Sequence, residues 1–538
     1  MSSPVRSLSN TPKPNGYTNG HSPRGFIANG NFPVLSNLQD NNTSKGWIIQ
    51  KFGGTSVGKF PRVIARDIVK ANIDEHQVAI VCSARSTDTK AEGTTNRLLR
   101  AAEEAMKAES RLFIDIVDAI REDHTAAATA NIESPEIIDE LVKAINYECA
   151  KLAAFLSAAQ IIEEISPKSK DVIMGTGERL SCMFMTALLQ DIGVDAEYVS
   201  LENIIESSYI AKGGLNQEFY DYLAGQLAKR LKLCGSKVPV ITGYFGVVPG
   251  SLLTQVGRGY TDLCAALCAV GLDADELQVW KEVDGIFTAD PRKVPTARLI
   301  PVITPEEAAE LTYYGSEVIH PFTMEQVIRA RIPIRIKNVE NPRGEGTIIF
   351  PDTMARKGED TPTDPPRHIR LALTDSTLQH RSKRPTAVTI KNSILVLNIH
   401  SNRKSLSHGF FANIFSTLDK YQLTVDLIST SEVHVSMAIS SDVQEDDLKD
   451  AIGQLRKFGT VDVIRDLTIL SVVGKQMKHM IGIAGRMFST LAESNVNIEM
   501  ISQGASEINI SCVIQEKDAI RAMNVLHTRL FLFDDSQF

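Results

Sequence analysis

The run Lys51-Phe52-Gly53-Gly54-Thr55-Ser56-Val57-Gly58 brings an ammonium, two adjacent glycines and two hydroxyls together between an apolar stretch and a helical pattern. Lacking side chains, Gly53 and Gly54 let the backbone close on an anion and aim N–H groups at phosphate oxygens. Lys51, just ahead of the turn, can set its charge on a β- or γ-phosphate, and Thr55 and Ser56 add hydroxyl donors. A Walker A loop puts its lysine after the glycines, so this is a different device. A plain strand-to-helix turn is the other reading of the glycine pair.

Four further segments carry polar groups at the ends of apolar runs. Val81-Cys82-Ser83-Ala84 is followed by Gly93-Thr94-Thr95-Asn96, whose hydroxyls can hold a substrate or cap the helix that contains Arg97–Arg100. In Gly175-Thr176-Gly177-Glu178-Arg179-Leu180-Ser181 we expect a strand passing into a helix, with Glu178 in a first turn that favours a carboxylate. Gly257-Arg258-Gly259-Tyr260-Thr261-Asp262 enters another helix. There Arg258 can grip a carboxylate with two hydrogen bonds, and Asp262 can orient Lys51 or a substrate. Alternatively the two form a local pair four residues apart, worth only ~0.3–0.5 kcal/mol. Lys281-Glu282-Val283-Asp284-Gly285-Ile286-Phe287-Thr288-Ala289-Asp290-Pro291-Arg292 holds Asp-Gly and Asp-Pro, which are also ordinary turn formers. His320, before a proline, reads as structural.

The elements that must position these groups follow from hydrophobic patterning. Short apolar runs at Trp47–Phe52, Val78–Cys82, Val172–Met174, Val238–Thr242 and Leu277–Trp280 alternate with helical patterns near 61–73, 96–120, 136–165, 178–192, 216–233 and 260–270. Buried strands alternating with helices imply a three-layer α/β domain with a largely parallel sheet, whose ligands sit at the C-terminal strand ends. Residues 352–385, rich in Asp, Pro, Thr and Arg, read as a linker. Beyond it the sequence repeats. Phe415-Ser416-Thr417-Leu418 recurs as Phe488-Ser489-Thr490-Leu491, and Gly409 matches Gly482 at the same offset of 73. Val425–Ser429 matches Ile498–Ser502, and Ser431-Glu432-Val433 matches Ser506-Glu507-Ile508 two residues out of register. Each copy reads as a small βαββαβ unit, with Val433–Met437 alternating as a half-buried antiparallel strand.

At 538 residues the chain suits about three or four folded units at ~100–200 residues each. Its net charge of −8 argues against a dedicated nucleic-acid binder, though a few local cations suffice for a small anionic substrate. The seven cysteines are scattered without a CxxC pair and read as buried thiols of a reducing compartment. Cys264 and Cys268, one helical turn apart, read as small core side chains. No apolar run approaches the ~20 residues of a membrane span. Residues 1–45 are rich in Ser, Asn, Pro and Gly; the prolines and glycines break the amphipathic helix of a transit peptide, so a disordered cytoplasmic tail is expected.

Taken together, KFGGTSVG and the later segments in this order resemble the aspartate kinases of the amino-acid-kinase superfamily. The resemblance implies that fold for residues 46–350, a linker at 351–388, and two ACT-like regulatory units. In that scheme 389–466 with 526–538 form the first unit, Leu530–Phe533 supplies its returning strand, and 467–525 is the inserted second unit. It implies that ATP is held by Lys51, Gly53, Gly54, Thr55, Ser56, Lys281, Glu282, Phe287, Asp290, Arg292 and Val318, with Mg²⁺ carried by the nucleotide. It implies that aspartate is held by Thr55, Ser83, Thr95, Glu178, Tyr244, Arg258 and Asp262, with Glu178 on its α-ammonium, and that Lys51, Arg258 and Asp262 are catalytic. Three departures stand out: Tyr260-Thr261 replaces Gly-Ser, Lys281-Glu282 replaces Thr-Asp, and Glu317 stands where a lysine is frequent. A feedback amino acid, threonine on the match at Tyr313–Glu317, is implied at Ser407, Gly409, Phe410, Val425, Asp426 and Ser431. A cytoplasmic dimer or tetramer joined through the ACT-like units is implied too.

Overall fold

The computed structural model describes residues 38–86, 92–206, 209, 215–246, 248, 250–313, 319–350, 384–401, 409–431, 434–475, 477, 480–504 and 508–532. Of Arg258, Tyr313 and Pro321 it describes the backbone alone. Val318, Ser407 and the segment 313–317 therefore lie outside the described side chains, as do residues 1–37.

The first domain is built on an eight-stranded sheet. Its strands are β1 (Trp47–Phe52), β2 (Gln77–Cys82), β3 (Ala196–Val199), β4 (Val238–Thr242), β5 (Glu276–Lys281), β6 (Val302–Ile303), β7 (Ile334–Asn338) and β8 (Thr347–Ile349), in the spatial order β3-β4-β2-β1-β5-β7-β8-β6. Every described pairing in it is parallel except β7 with β8. Its helices are α1 (Gly54–Lys59), α2 (Thr94–Ala105), α3 (Leu112–Asn131), α4 (Pro135–Ile162), α5 (Pro167–Asp191), α6 (Gln217–Lys232), α7 (Leu252–Gln255), α8 (Tyr260–Leu272), α9 (Pro305–Tyr313) and α10 (Pro321–Arg329). Two apolar cores lie on opposite faces of the sheet. One joins α6, α8 and α10 to it, and the other joins α2 to α5. This is the expected three-layer α/β arrangement. β1 is central, with β2 on one side and β5 on the other. The chain order reverses there, which opens a crevice at the carboxyl ends of these strands.

Three expectations are corrected in this domain. Val172–Met174 is no strand: it lies inside α5, and so does Gly175–Ser181. A run buried on all sides loses the amphipathic period, so a short apolar stretch of helix reads like an internal strand. By length and composition α5 could even cross a membrane, yet it is almost wholly buried among strands and helices. Glu178 is consequently mid-helix, and a helix dipole does not explain it. Residues 38–45, within the segment read as a disordered tail, are also held in the fold. Gln39 bridges to Val194, donating its N–H to the Gly193 carbonyl and accepting from Asp195 N–H. Asn41, buried, accepts from Val78 N–H and donates to Val78 C=O, both at 2.8 Å, so its amide imitates a strand neighbour at the start of β2.

The C-terminal sheet has six strands: β9 (Ala387–Ser401), β10 (Val425–Thr430), β11 (His434–Ser440), β12 (Gly459–Val473), β13 (Met500–Ser502) and β14 (Asn509–Gln515), in the order β10-β11-β9-β12-β14-β13. Helices α11 (Phe410–Lys420), α12 (Glu445–Leu455), α13 (Ile483–Glu493) and α14 (Ala519–His527) cover it. The repeat is real in space: Gly409 and Gly482 both precede their helices with left-handed φ, 87° and 83°.

The nesting, however, runs opposite to expectation. Residues from the start of β9, Val388 and Ile390, share a core with α13, α14, Leu530 and Phe531, whereas the end of β9 packs with α11 and α12. The two long antiparallel strands β9 and β12 each serve both units, so the first unit is the inserted one. Leu530 lies in a helical turn, Thr528–Leu532, instead of a returning strand. An apolar run that short fits either state.

The second unit also grips the first domain. His527, fully buried, bridges the hydroxyls of Thr288 and Thr296 at 2.9 and 3.1 Å. Val388 N–H donates to the Thr288 carbonyl. Glu307 on α9 accepts from Lys475 N–H at 2.7 Å and from the Thr386 hydroxyl.

Asn41→Ala removes both halves of the bond pair to Val78 and leaves a buried backbone N–H and C=O unmet. We expect it to lower the unfolding free energy by about 1–3 kcal/mol in denaturant titration.

Candidate active site

Lys51 ends β1, paired in register with Val81 and Val279, so it emerges at the crevice. Its Nζ lies 2.7 Å from an Asp262 carboxylate oxygen, both side chains mostly buried. Asp262 is in the first turn of α8 and reaches Lys51 across the crevice, as its orienting reading requires. Gly54 starts α1 against the end of β2. A Cβ there would come within 2.1 Å of the Ala84 carbonyl oxygen, and Ser86 N–H donates to the Gly54 carbonyl. Only a glycine permits that approach. Gly53 precedes the helix in extended conformation, and Thr55 is partly exposed beside it.

Ser56 is a correction. It is fully buried, and its hydroxyl donates to Glu282 Oε1 at 2.6 Å. It therefore fixes α1 to the end of the β5 region instead of facing a phosphate. The bond also gives Glu282 a structural job.

Glu178 lies at the bottom of the crevice, about 1% exposed. One oxygen accepts from the Thr261 hydroxyl at 2.7 Å, and the other accepts from Tyr244 N–H. Burial pushes its carboxyl up to about 7, against the pull of Thr261, Tyr244 N–H, the Tyr260 hydroxyl and the Lys51 charge. Tyr244 is buried against Gly175 of α5, and burial raises its phenol far above the ordinary range, so it stays neutral. The backbone of Arg258 forms a short 3₁₀ turn with Gly257 and Gly259, directly before α8. Lys51, Glu178, Tyr244 and Asp262 thus converge, and the Arg258 backbone lies on the segment between Tyr244 and Asp262.

Ser83 follows β2, its N–H donating to the Phe52 carbonyl, and so stands beside the Gly53–Gly54 turn. Thr95 is in the first turn of α2, where Gly93 is the N-cap without a side-chain cap bond; the capping reading of Thr94 and Thr95 is not met. In the Lys281–Arg292 segment, Phe287 bridges to Leu299. Asp290 and Arg292 bind each other at 3.0 Å in two places, and Arg292 is 88% exposed. The segment is a formed loop, with a local Asp290–Arg292 pair at its end and Thr288 tied to the second ACT-like unit. His320 caps α10, its ring nitrogen meeting Phe322 N–H, as its structural reading requires. The seven cysteines are all buried and free. In the C-terminal sheet Gly409, Phe410, Val425 and Asp426 cluster at α11 and β10; Asp426 pairs with Lys391 at 2.7 Å, and Ser431 N–H donates to the His434 carbonyl.

The reading of motifs passed over three side chains at the site's edges: Thr261, which bonds Glu178; Asp171, which holds the loop before Arg258; and His527. Asp171 escaped because the residues after it read as a strand, which hid that it and Glu178 share one face of α5. His527 had no local signal.

The comparisons agree with this architecture. Residues 46–338 match the amino acid kinase family, and 470–530 match an ACT domain. The aspartokinase of Schizosaccharomyces pombe is 58% identical over 497 residues, spanning 92% of this chain and 95% of that protein. That of Saccharomyces cerevisiae is 55% identical over 503 residues, spanning 92% and 94%. Escherichia coli aspartokinase III, solved in complex with aspartate and ADP, aligns over 90% of this chain and 99% of its own with a TM-score of 0.66 at 26% identity. The same enzyme with lysine and aspartate aligns at 0.68. The fold is that of a phosphotransferase of the amino acid kinase class. Within that class the chain belongs to the aspartokinases.

The raised Glu178 pKa sets a stability trend. The folded state holds a proton that the unfolded chain releases near pH 4.5, so this group's contribution falls as pH rises from about 4.5 to about 7. Denaturant titrations across that window should show Glu178→Gln losing less stability than the parent, by up to about 3 kcal/mol.

Proposed function

We propose that this kinase transfers the γ-phosphoryl of ATP directly to the β-carboxylate of L-aspartate, giving 4-phospho-L-aspartate and ADP. The observation that carries the reading is the 2.7 Å pair of Lys51 and Asp262 standing over the buried Glu178 carboxylate. A carboxylate is already a nucleophile, so no general base is required. The barrier is repulsion between two anions and the charge that builds on the leaving oxygen. Positioning and fixed charge supply the catalysis.

In this reading Asp262 holds the Lys51 ammonium toward the terminal phosphates, and the Gly53–Gly54 backbone meets them closely. Thr55 and Ser83 face the transfer region. Lys51 and the Gly53–Gly54 backbone would share the phosphates with a nucleotide-carried Mg²⁺, which would supply further positive charge there. Arg258 binds the substrate α-carboxylate. Glu178 accepts from the substrate α-ammonium, which restores the charge partner that its burial demands. An acceptor lacking that ammonium leaves the carboxylate unmet, which gives specificity. Phe287 and the loop around it line the nucleoside side.

The ACT-like units suit a feedback amino acid held near Gly409, Phe410, Val425, Asp426 and Ser431. Asp426 offers a carboxylate to its ammonium by exchange with Lys391. We take threonine as the effector, and place the enzyme at the entry to threonine and methionine synthesis in the cytoplasm, as a homo-oligomer.

Lys51→Ala should lower turnover by a few orders of magnitude while far-UV dichroism shows the fold retained. ADP release is followed with and without aspartate, and with and without threonine. Aspartate-independent release, or full activity in Lys51→Ala, contradicts the mechanism; indifference to threonine contradicts the effector.

A further inference from the structure

Asp171, Gly175 and Glu178 stand four and three residues apart on α5, so they share one face. The chain from Tyr244 to Thr261 is docked on that face at three points. At one end Asp171, 2% exposed, accepts from the Ser251 hydroxyl at 2.9 Å and Leu253 N–H at 3.1 Å on one oxygen, and from Leu252 N–H at 2.6 Å on the other. In the middle, bare Gly175 admits the Tyr244 ring, which a Cβ would meet at 2.6 Å. At the other end Glu178 holds Tyr244 N–H and the Thr261 hydroxyl.

The segment so held is not one the backbone adopts unaided. Ser251 has φ of 100°, a region that residues with a side chain rarely occupy and that persists only where the surroundings fix it. The four-residue α7 that follows is too short to stand alone. Its first free N–H groups, at Leu252 and Leu253, are those Asp171 satisfies. One turn later comes the Gly257–Gly259 turn that holds the Arg258 backbone.

We infer that Asp171 is a positioning residue for the amino-acid substrate: it sets the strained 251–255 turn so that Arg258 is presented to a carboxylate, without touching substrate itself. The inference rests on the reading of Arg258 given above. A neutral amide at 171 keeps the shape but turns an –NH₂ toward backbone N–H groups, so at most one oxygen still accepts.

The test is steady-state kinetics on the full chain. Asp171→Asn should raise KM for aspartate about tenfold or more, with KM for ATP within about twofold of the parent, because Lys51 and the glycine turn are fixed separately. Ser251→Ala, a milder change at the same contact, should raise KM for aspartate a few-fold, and it serves if Asp171→Asn folds poorly. An unchanged KM for aspartate in a folded variant, or equal effects on both substrates, overturns the inference. If the parent itself phosphorylates no aspartate, the kinase reading fails instead, and the two failures are told apart by that one control.

Discussion

A lysine at the end of a central, buried strand must have a carboxylate within reach, and here Asp262 is 2.7 Å away. That pair spans the two sides of the crevice, β1 on one and the start of α8 on the other. Much of the domain serves to make the meeting possible. β1 and β5 lie in register so that the lysine emerges beside the loop that follows β5. α8 is packed against the sheet by an almost wholly apolar face, which leaves its first turn to carry the polar work. Two charges of opposite sign in a poorly hydrated cleft hold each other in place, and a polyanion entering the cleft meets a cation already oriented.

The second constraint is the buried carboxylate of Glu178. Removing a charge from water is costly unless donors replace the solvent. Thr261 and the Tyr244 backbone do so here, and the segment between them is thereby wrapped onto α5. One helix thus organises the loop that enters the crevice, and it can do so because it runs through the middle of the domain instead of along its surface. Burial in this case creates the need, and satisfying the need creates the geometry.

The layer order, the parallel sheet and the repeat were legible in the sequence, because strand and helix periods and a 73-residue offset survive in linear form. Lys51, Asp262 and Glu178, which the structure brings together, were each legible as candidates, since each sits in a short glycine-marked segment. What escaped was set by tertiary packing. The interior of α5 has no polar face to reveal its period. Ser56 looked like a ligand until Glu282, 226 residues away, claimed its hydroxyl. The nesting of the two repeats was misread because β9 and β12 are each shared between units, and a repeat in sequence does not say which strand joins which core.

His527 carries a consequence in time. Its ring nitrogens supply partners to Thr288 and Thr296, which precede it by 239 and 231 residues. At a translation rate of about 5–20 residues per second, the loop at 284–300 waits on the order of ten to fifty seconds on the ribosome before its clasp exists. The α/β domain therefore emerges with one of its loops unfinished, and α14 completes it.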